Sequence, residues 1–240
     1  VMPLFSGYAA LFSLQEGLEH LLHLDQANHS YIRFLYGLAI SFLYLFNLIF
    51  RLGHNIFFGF CKPRLRVVIS FVSMFASMAI LTALFFVGEF FDYKSTISQL
   101  IGLLMVFLAY SLGGIGIGTS EANILNVATP LGRTTKLFAI LGIPSGITVI
   151  TIGGFVVIQL LSLKHQYAYL TVAVFLVIGL GVYMLRIFWA TERQAKLLEI
   201  SEPGIMKFLQ DFKEFKNWLP KIVFYCIVMF INMYSLAFFM

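Results

Sequence analysis

The chain has 240 residues, 60% of them hydrophobic and 11% charged, with 16 Lys and Arg against 11 Asp and Glu for a net charge of +5. A water-soluble domain needs about a quarter of its residues charged, so a soluble fold is excluded, and with it the nucleic-acid partner that a basic balance would otherwise suggest. The apolar runs are long enough to cross a hydrocarbon core of about 30 Å, which takes about 20 helical residues. The alternation expected of a membrane barrel is missing. These features predict an all-α, polytopic membrane protein whose first partner is the lipid bilayer. Cys61 and Cys226 lie far apart, with neither metal-ligand spacing nor a disulfide framework.

Taken in chain order, residues 1–14 read as about half of a membrane span, followed by a polar loop from Gln15 to Ser30. A second span covers 31–58 and leads to a tight basic turn, Cys61-Lys62-Pro63-Arg64-Leu65-Arg66. The third span runs from about Val67 to Val87, the fourth from Ile97 to Val127, the fifth from Thr134 to Leu161 and the sixth from Tyr167 to Trp189. Pro144 predicts a kink in the fifth. These six spans make an N-terminal transmembrane bundle over 1–189. Residues 190–218 form a charged linker, in which Ile205, Met206, Phe208, Leu209, Phe212 and Phe215 recur at the spacing of an amphipathic surface helix. Residues 219–240 begin a seventh span. Both ends of the chain fall inside apolar segments, so it reads as a fragment whose missing C-terminal half is itself a partner.

The basic residues sort by connection. Thirteen fall on one side: Arg51, Lys62, Arg64, Arg66, Arg133, Lys136, Arg186, Arg193, Lys196, Lys207, Lys213, Lys216 and Lys221. Three fall on the other: Arg33, Lys94 and Lys164. By the positive-inside rule the crowded side is cytoplasmic. Six spans, a charged cytoplasmic helix and a seventh span form the plan of a major-facilitator half with its linker, an analogy that brings alternating access with it.

The chain is organised around Ser111 to Gly146, SLGGIGIGTSEANILNVATPLGRTTKLFAILGIPSG. Gly113, Gly114, Gly116, Gly118 and Ser120 let helix backbones approach closely in lipid. The run lacks the strand–turn–helix setting of a dinucleotide fingerprint, and its first reading is helix packing. Glu121 is different. An acid at membrane depth costs roughly 2.5–3.5 kcal/mol on insertion scales and faces a cavity or a partner. With Asn123 and Asn126 on the same helix, Asn47 on the second and Asn232 on the seventh, it forms the candidate lining of a midplane site for substrate or coupling ion. Arg51, His54 and Arg64 are candidate cytoplasmic gate residues; the plainer reading of Arg51 and His54 is snorkelling to lipid phosphates.

Glu16, Glu19, His20 and His23 would share one helical face, a carboxylate–imidazole set suited to zinc or manganese. The plainer readings are a solvated amphipathic turn or, with Asp25 and His29, a pH-sensitive patch. No metal or other cofactor is assigned. Tyr183, Trp189 and Trp218 read as interfacial anchors, and the many phenylalanines as lipid-facing.

Three stretches together resemble the battenin family: Lys62-Pro63-Arg64-Leu65-Arg66-Val67-Val68-Ile69-Ser70, the Gly-x-Gly run leading to Glu121, and Phe230-Ile231-Asn232. The likeness covers roughly residues 60–240, and the acid is offset by two residues from the family's Gly-x-Gly spacing. The resemblance implies a major-facilitator-like fold and a lysosomal or vacuolar membrane. It also implies a non-enzymatic role: export of glycerophosphodiesters, or handling of basic amino acids and lumenal pH. The alternatives are a membrane-embedded metal-dependent enzyme built on Glu16, His20 and His23, and a scaffold subunit of a membrane complex.

Overall fold

The computed structural model describes residues 1–24, 30–88, 96–156 and 164–197, together with residues 219, 220, 223, 224 and 227. Among these there is no strand. Eight α-helices follow one another: α1 (Met2–Ser13), α2 (Gln15–Leu21), α3 (Ser30–Phe57), α4 (Pro63–Gly88), α5 (Thr96–Ala128), α6 (Arg133–Phe155), α7 (His165–Val182) and α8 (Trp189–Leu197). A 3-10 turn at Thr129–Leu131 joins α5 to α6, and a π-helical stretch, Tyr183–Phe188, joins α7 to α8. Among the described residues five segments are long and apolar enough to cross a membrane: Tyr31–Phe57, Pro63–Gly88, Ile97–Leu131, Arg133–Gly154 and His165–Gln194. The chain has the make-up of a multi-pass integral membrane protein. Contacts divide it into units 1–202 and 203–240; everything below concerns the first.

Helix direction follows from which residues meet. A Cβ on Gly114 would strike Leu43 O, and one on Gly118 would strike Asn47 O, so α3 and α5 run parallel and in register. Ser77 donates to Ala109 O, and Gly116 lies on Ser70 O, so α4 runs antiparallel to α5. Phe71 stacks on Tyr183 and Phe85 on Tyr169, so α7 runs antiparallel to α4. Val1 meets Gly142 and Leu14 meets Gly154, placing α1 parallel to α6, while Pro3 meets Gly179 and Tyr169 reaches Leu14 O, placing it antiparallel to α7. Direction therefore alternates from each long helix to the next. The Phe58–Lys62, Thr129–Gly132 and Tyr183–Phe188 connections gather at one end of the bundle, together with the described members of the larger basic group.

Several boundaries differ from the sequence reading. Gln15–Leu21 is not loop but a second short helix, separated from α1 by Leu14 alone (φ −112°, ψ 18°). Together α1 and α2 cover about 30 Å at 1.5 Å per residue. The break frees main-chain carbonyls in an apolar interior, where each must find a donor. Tyr110 Oη donates to Leu11 O, Tyr169 Oη to Leu14 O (3.3 Å), Tyr36 Oη to Gln15 O (3.0 Å) and Gln99 Nε2 to Leu22 O (3.1 Å). Three neighbouring helices thus satisfy the interrupted one.

The turn before α4 is also shorter than expected. Pro63 opens the helix, as Pro does at a first helical position whose N–H is unused, so Arg64 and Arg66 are helical rather than loop residues. α6 continues through Pro144. The last long helix does not stop at Trp189 but carries on to Leu197, taking in the first residues expected of the linker. The amphipathic helix expected over 205–215 and the seventh span with Asn232 lie outside the described residues.

Candidate functional site at the turn end of α3, α4 and α5

The glycine run shapes this region by bringing backbones together. Gly114 and Gly118, one turn apart, face α3; a Cβ at either would lie 2.5 or 2.4 Å from a main-chain oxygen. Gly116 faces α4, 2.9 Å from Ser70 O by the same measure. α5 is therefore wedged between α3 and α4. The run is a helix–helix interface.

One turn beyond Gly118, the same α5 face carries Glu121, and the same α3 face carries Arg51. Arg51 Nη2 lies 3.0 Å from Glu121 Oε2, with the acid 19% and the arginine 38% exposed. The contact is an ion pair rather than an aligned hydrogen bond, since Oε2 has no donor in line. Asn47, one turn earlier on α3, lies near the Tyr8 hydroxyl of α1, which is also in the field of Arg51 and Glu121. The Asn47 Oδ1 is buried without a partner. His54 Nδ1 lies 3.0 Å from Arg51 O, fixing the end of the helix.

Arg66, on the first turn of α4, is 1% exposed. Its Nε donates to Cys61 O (2.8 Å), and its Nη1 to Asn55 Oδ1 (2.5 Å) and Asn123 Oδ1 (3.4 Å). Asn123 Nδ2 in turn donates to Thr119 O (2.8 Å). Cys61, Asn55, Arg66 and Asn123 thus link the turn, α3, α4 and α5.

Glu121, Asn123, Asn47, Arg51 and His54 are therefore assembled near one another. Glu121 and Arg51 sit about 10 Å from the ends of their helices, so the group is near the turn end and not at the centre of the bundle. Asn126 is exposed, its amide turned back to Ala122 O. Arg64 stands apart. Its Nη2 meets Glu192 Oε1 at 3.3 Å, its guanidinium lies 5.2 Å from the centre of the Phe188 ring, and its carbonyl accepts from Tyr183 Oη at 2.9 Å. Tyr183 is thus a buried tie between helices and not an interfacial anchor; Trp189 is exposed.

At the opposite end, the shared helical face of Glu16, Glu19, His20 and His23 does not form. Glu16 and His20 approach to 3.8 Å and are exposed. The helix stops at Leu21, however, and His23 takes a left-handed backbone (φ 52°), off the shared face. Among the described residues no three His, Cys, Asp or Glu side chains converge on a metal position.

Arg66 and Tyr8 were missed in the sequence. The Lys-Pro-Arg-Leu-Arg string looks like loop charge, but the helix-start preference of Pro63, carried three residues on, brings Arg66 onto the α4 face that meets α5. Two apolar cavities of about 540 and 560 Å³ lie elsewhere, around Val1, Phe138 and Gly179 and around Phe75, Phe86 and Val177; neither is lined by Arg51, Arg66 or Glu121. No family model matches the chain, and neither a search of curated proteins nor one of solved structures returns a match.

Proposed function

We propose that the chain is the N-terminal half, with linker and the start of a second half, of a battenin-like secondary transporter of the lysosomal or vacuolar membrane. In this reading α1 with α2 forms the first crossing and α3 to α7 the next five. The basic turn end is cytoplasmic, and the linker leads to the seventh crossing at 219–240. The substrate is a small solute, a glycerophosphodiester or a basic amino acid, moved by alternating access and coupled to protons and lumenal pH.

The observation that carries the reading is the Arg51–Glu121 pair. An apolar bundle keeps an ion pair between two parallel helices, with a carboxylate oxygen that no donor satisfies. Ionisable groups at such a place mark pathways and proton relays in membrane proteins. A proton on Glu121 would release Arg51, and the two states of the pair would give the bundle two charge arrangements at one end. Asn47 and Tyr8 extend the polar seam along α3 toward α1.

The test is flux through the full-length protein in proteoliposomes, with and without an imposed pH gradient, against a panel of glycerophosphodiesters and basic amino acids. A saturable signal whose pH dependence flattens in Glu121→Gln is the expected result. Unchanged pH dependence in the variant would remove Glu121 as the coupling group. Silence across the panel with folded protein would remove the transporter reading.

A further inference from the structure

Among the described residues Arg66 has no counter-charge. Arginine keeps its proton under all ordinary conditions, and a full charge buried in a low-dielectric interior is costly unless paired. Yet the hydrogen-bond partners of Arg66 are all neutral oxygens, those of Cys61, Asn55 and Asn123. Its Nη2 is buried and makes no hydrogen bond. Among the described residues no carboxylate pairs with it. Glu121 pairs with Arg51 instead, so among the described residues the Arg66 charge is left unbalanced.

We propose that Arg66 binds an oxyanion of the phosphate type, the chemistry shared by anionic lipid headgroups and small soluble phosphates. The guanidinium edge formed by Nη1 and Nη2 matches two oxygens of such a group. The contact from Nη1 to Asn123, at 3.4 Å, is the weakest of the three and the first to yield. The anion arrives at the turn end, because Arg66 lies about 4.5 Å from the start of α4, under the turn that carries exposed Lys62 and Phe60. Asn55 Oδ1 keeps its hydrogen bond from Nη1, so the guanidinium stays anchored to α3 while its free edge takes the anion. The site is distinct from the Arg51–Glu121 pair and does not depend on transport.

The experiment uses the full chain in a neutral detergent and in phosphatidylcholine nanodiscs. Melting is followed as inorganic phosphate replaces chloride at constant ionic strength, and again as phosphatidic acid is added to the nanodiscs. Ligand at a hundred times its Kd raises the folded-to-unfolded ratio about a hundredfold, a rise of roughly 5–10 °C in the midpoint for a chain of this size. A rise with phosphate that is lost in Arg66→Gln and kept in Lys136→Gln supports the site with a soluble ligand. A rise only with phosphatidic acid, lost in the same variant, supports it with a lipid headgroup. No rise with either, or a rise that survives Arg66→Gln, overturns it. If Arg66→Gln does not fold, the wild-type site in a Cys226→Ser background decides. Phosphate or phosphatidic acid must slow alkylation of Cys61, whose carbonyl Arg66 holds, several-fold relative to chloride and neutral lipid; unchanged alkylation overturns the proposal.

Discussion

Replacing Gly118 by alanine puts a methyl group where α5 touches the backbone of α3. The added Cβ would lie 2.4 Å from Asn47 O and 3.1 Å from Arg51 N. An ordinary carbon–oxygen contact needs about 3.3 Å or more, so the helices must part by close to 1 Å. Main chain cannot swing aside as a side chain can, and overpacking of this kind costs roughly 1–3 kcal/mol. Alanine returns up to about 1 kcal/mol of helix propensity, leaving a net loss of about 1–2 kcal/mol. Gly181, with nothing within 4 Å of its would-be Cβ, is the matched control and should be neutral or slightly stabilised. Gly114→Ala strains the same interface one turn away. One separation relieves both clashes, so the double variant should lose clearly less than the sum of the singles. The assay is reversible unfolding in mixed micelles, read by tryptophan fluorescence. If Gly118→Ala proves as stable as Gly181→Ala, α3 and α5 do not pack through these glycines, and the ion pair beyond them loses its geometric basis.

Parting of α3 and α5 also lengthens the 3.0 Å Arg51–Glu121 contact. A double-mutant cycle on Arg51→Gln and Glu121→Gln should give a coupling of about 1 kcal/mol, as for a part-exposed contact pair; zero coupling would mean that the charges do not pair in the folded chain. Tyr169→Phe removes the donor to Leu14 O while keeping the ring, and should cost roughly 1–2 kcal/mol in the same unfolding assay. Tyr167→Phe, at a half-exposed ring on the same helix, should cost less; equal losses would show that the carbonyl at the helix break does not need Tyr169. Chelator treatment should leave the melting midpoint unchanged, and His20→Ala should do the same. Stoichiometric metal in the purified protein, lost in His20→Ala, would return the Glu16–His20 end to consideration.

The long helices were legible because burial in lipid demands long apolar runs, and the second, third and fourth spans begin and end within a few residues of their predicted limits. The α1–α2 break was not legible. Gln15, Glu16 and Glu19 give the segment a polar look, and the donors that make a helix possible there, Tyr36, Gln99, Tyr110 and Tyr169, come from distant positions in sequence. Glu121 stands out in any apolar helix, but its partner could not be read, because the parallel register of α3 and α5 is set by Gly114 and Gly118 pressing on main chain. The π-helical stretch at Tyr183–Phe188 had no sequence signal. It shifts helical phase by part of a turn where Tyr183, Phe188 and Glu192 meet the first turn of α4.

The parallel seam of α3 and α5 constrains how this bundle can deform. Two helices touching through main-chain atoms at two successive turns, with a charge pair at the third, cannot slide without lifting over a ridge of carbonyls. They behave as a single strut. α6 is built differently: few of its residues between Arg133 and Gly154 are buried, and its close contacts are with α1 near Gly142 and Gly146. Large displacements within the bundle should therefore appear first as tilting of α6 against a stationary α3–α5 frame. A spin-label pair across that boundary would broaden in distance, while a pair along the seam would stay sharp.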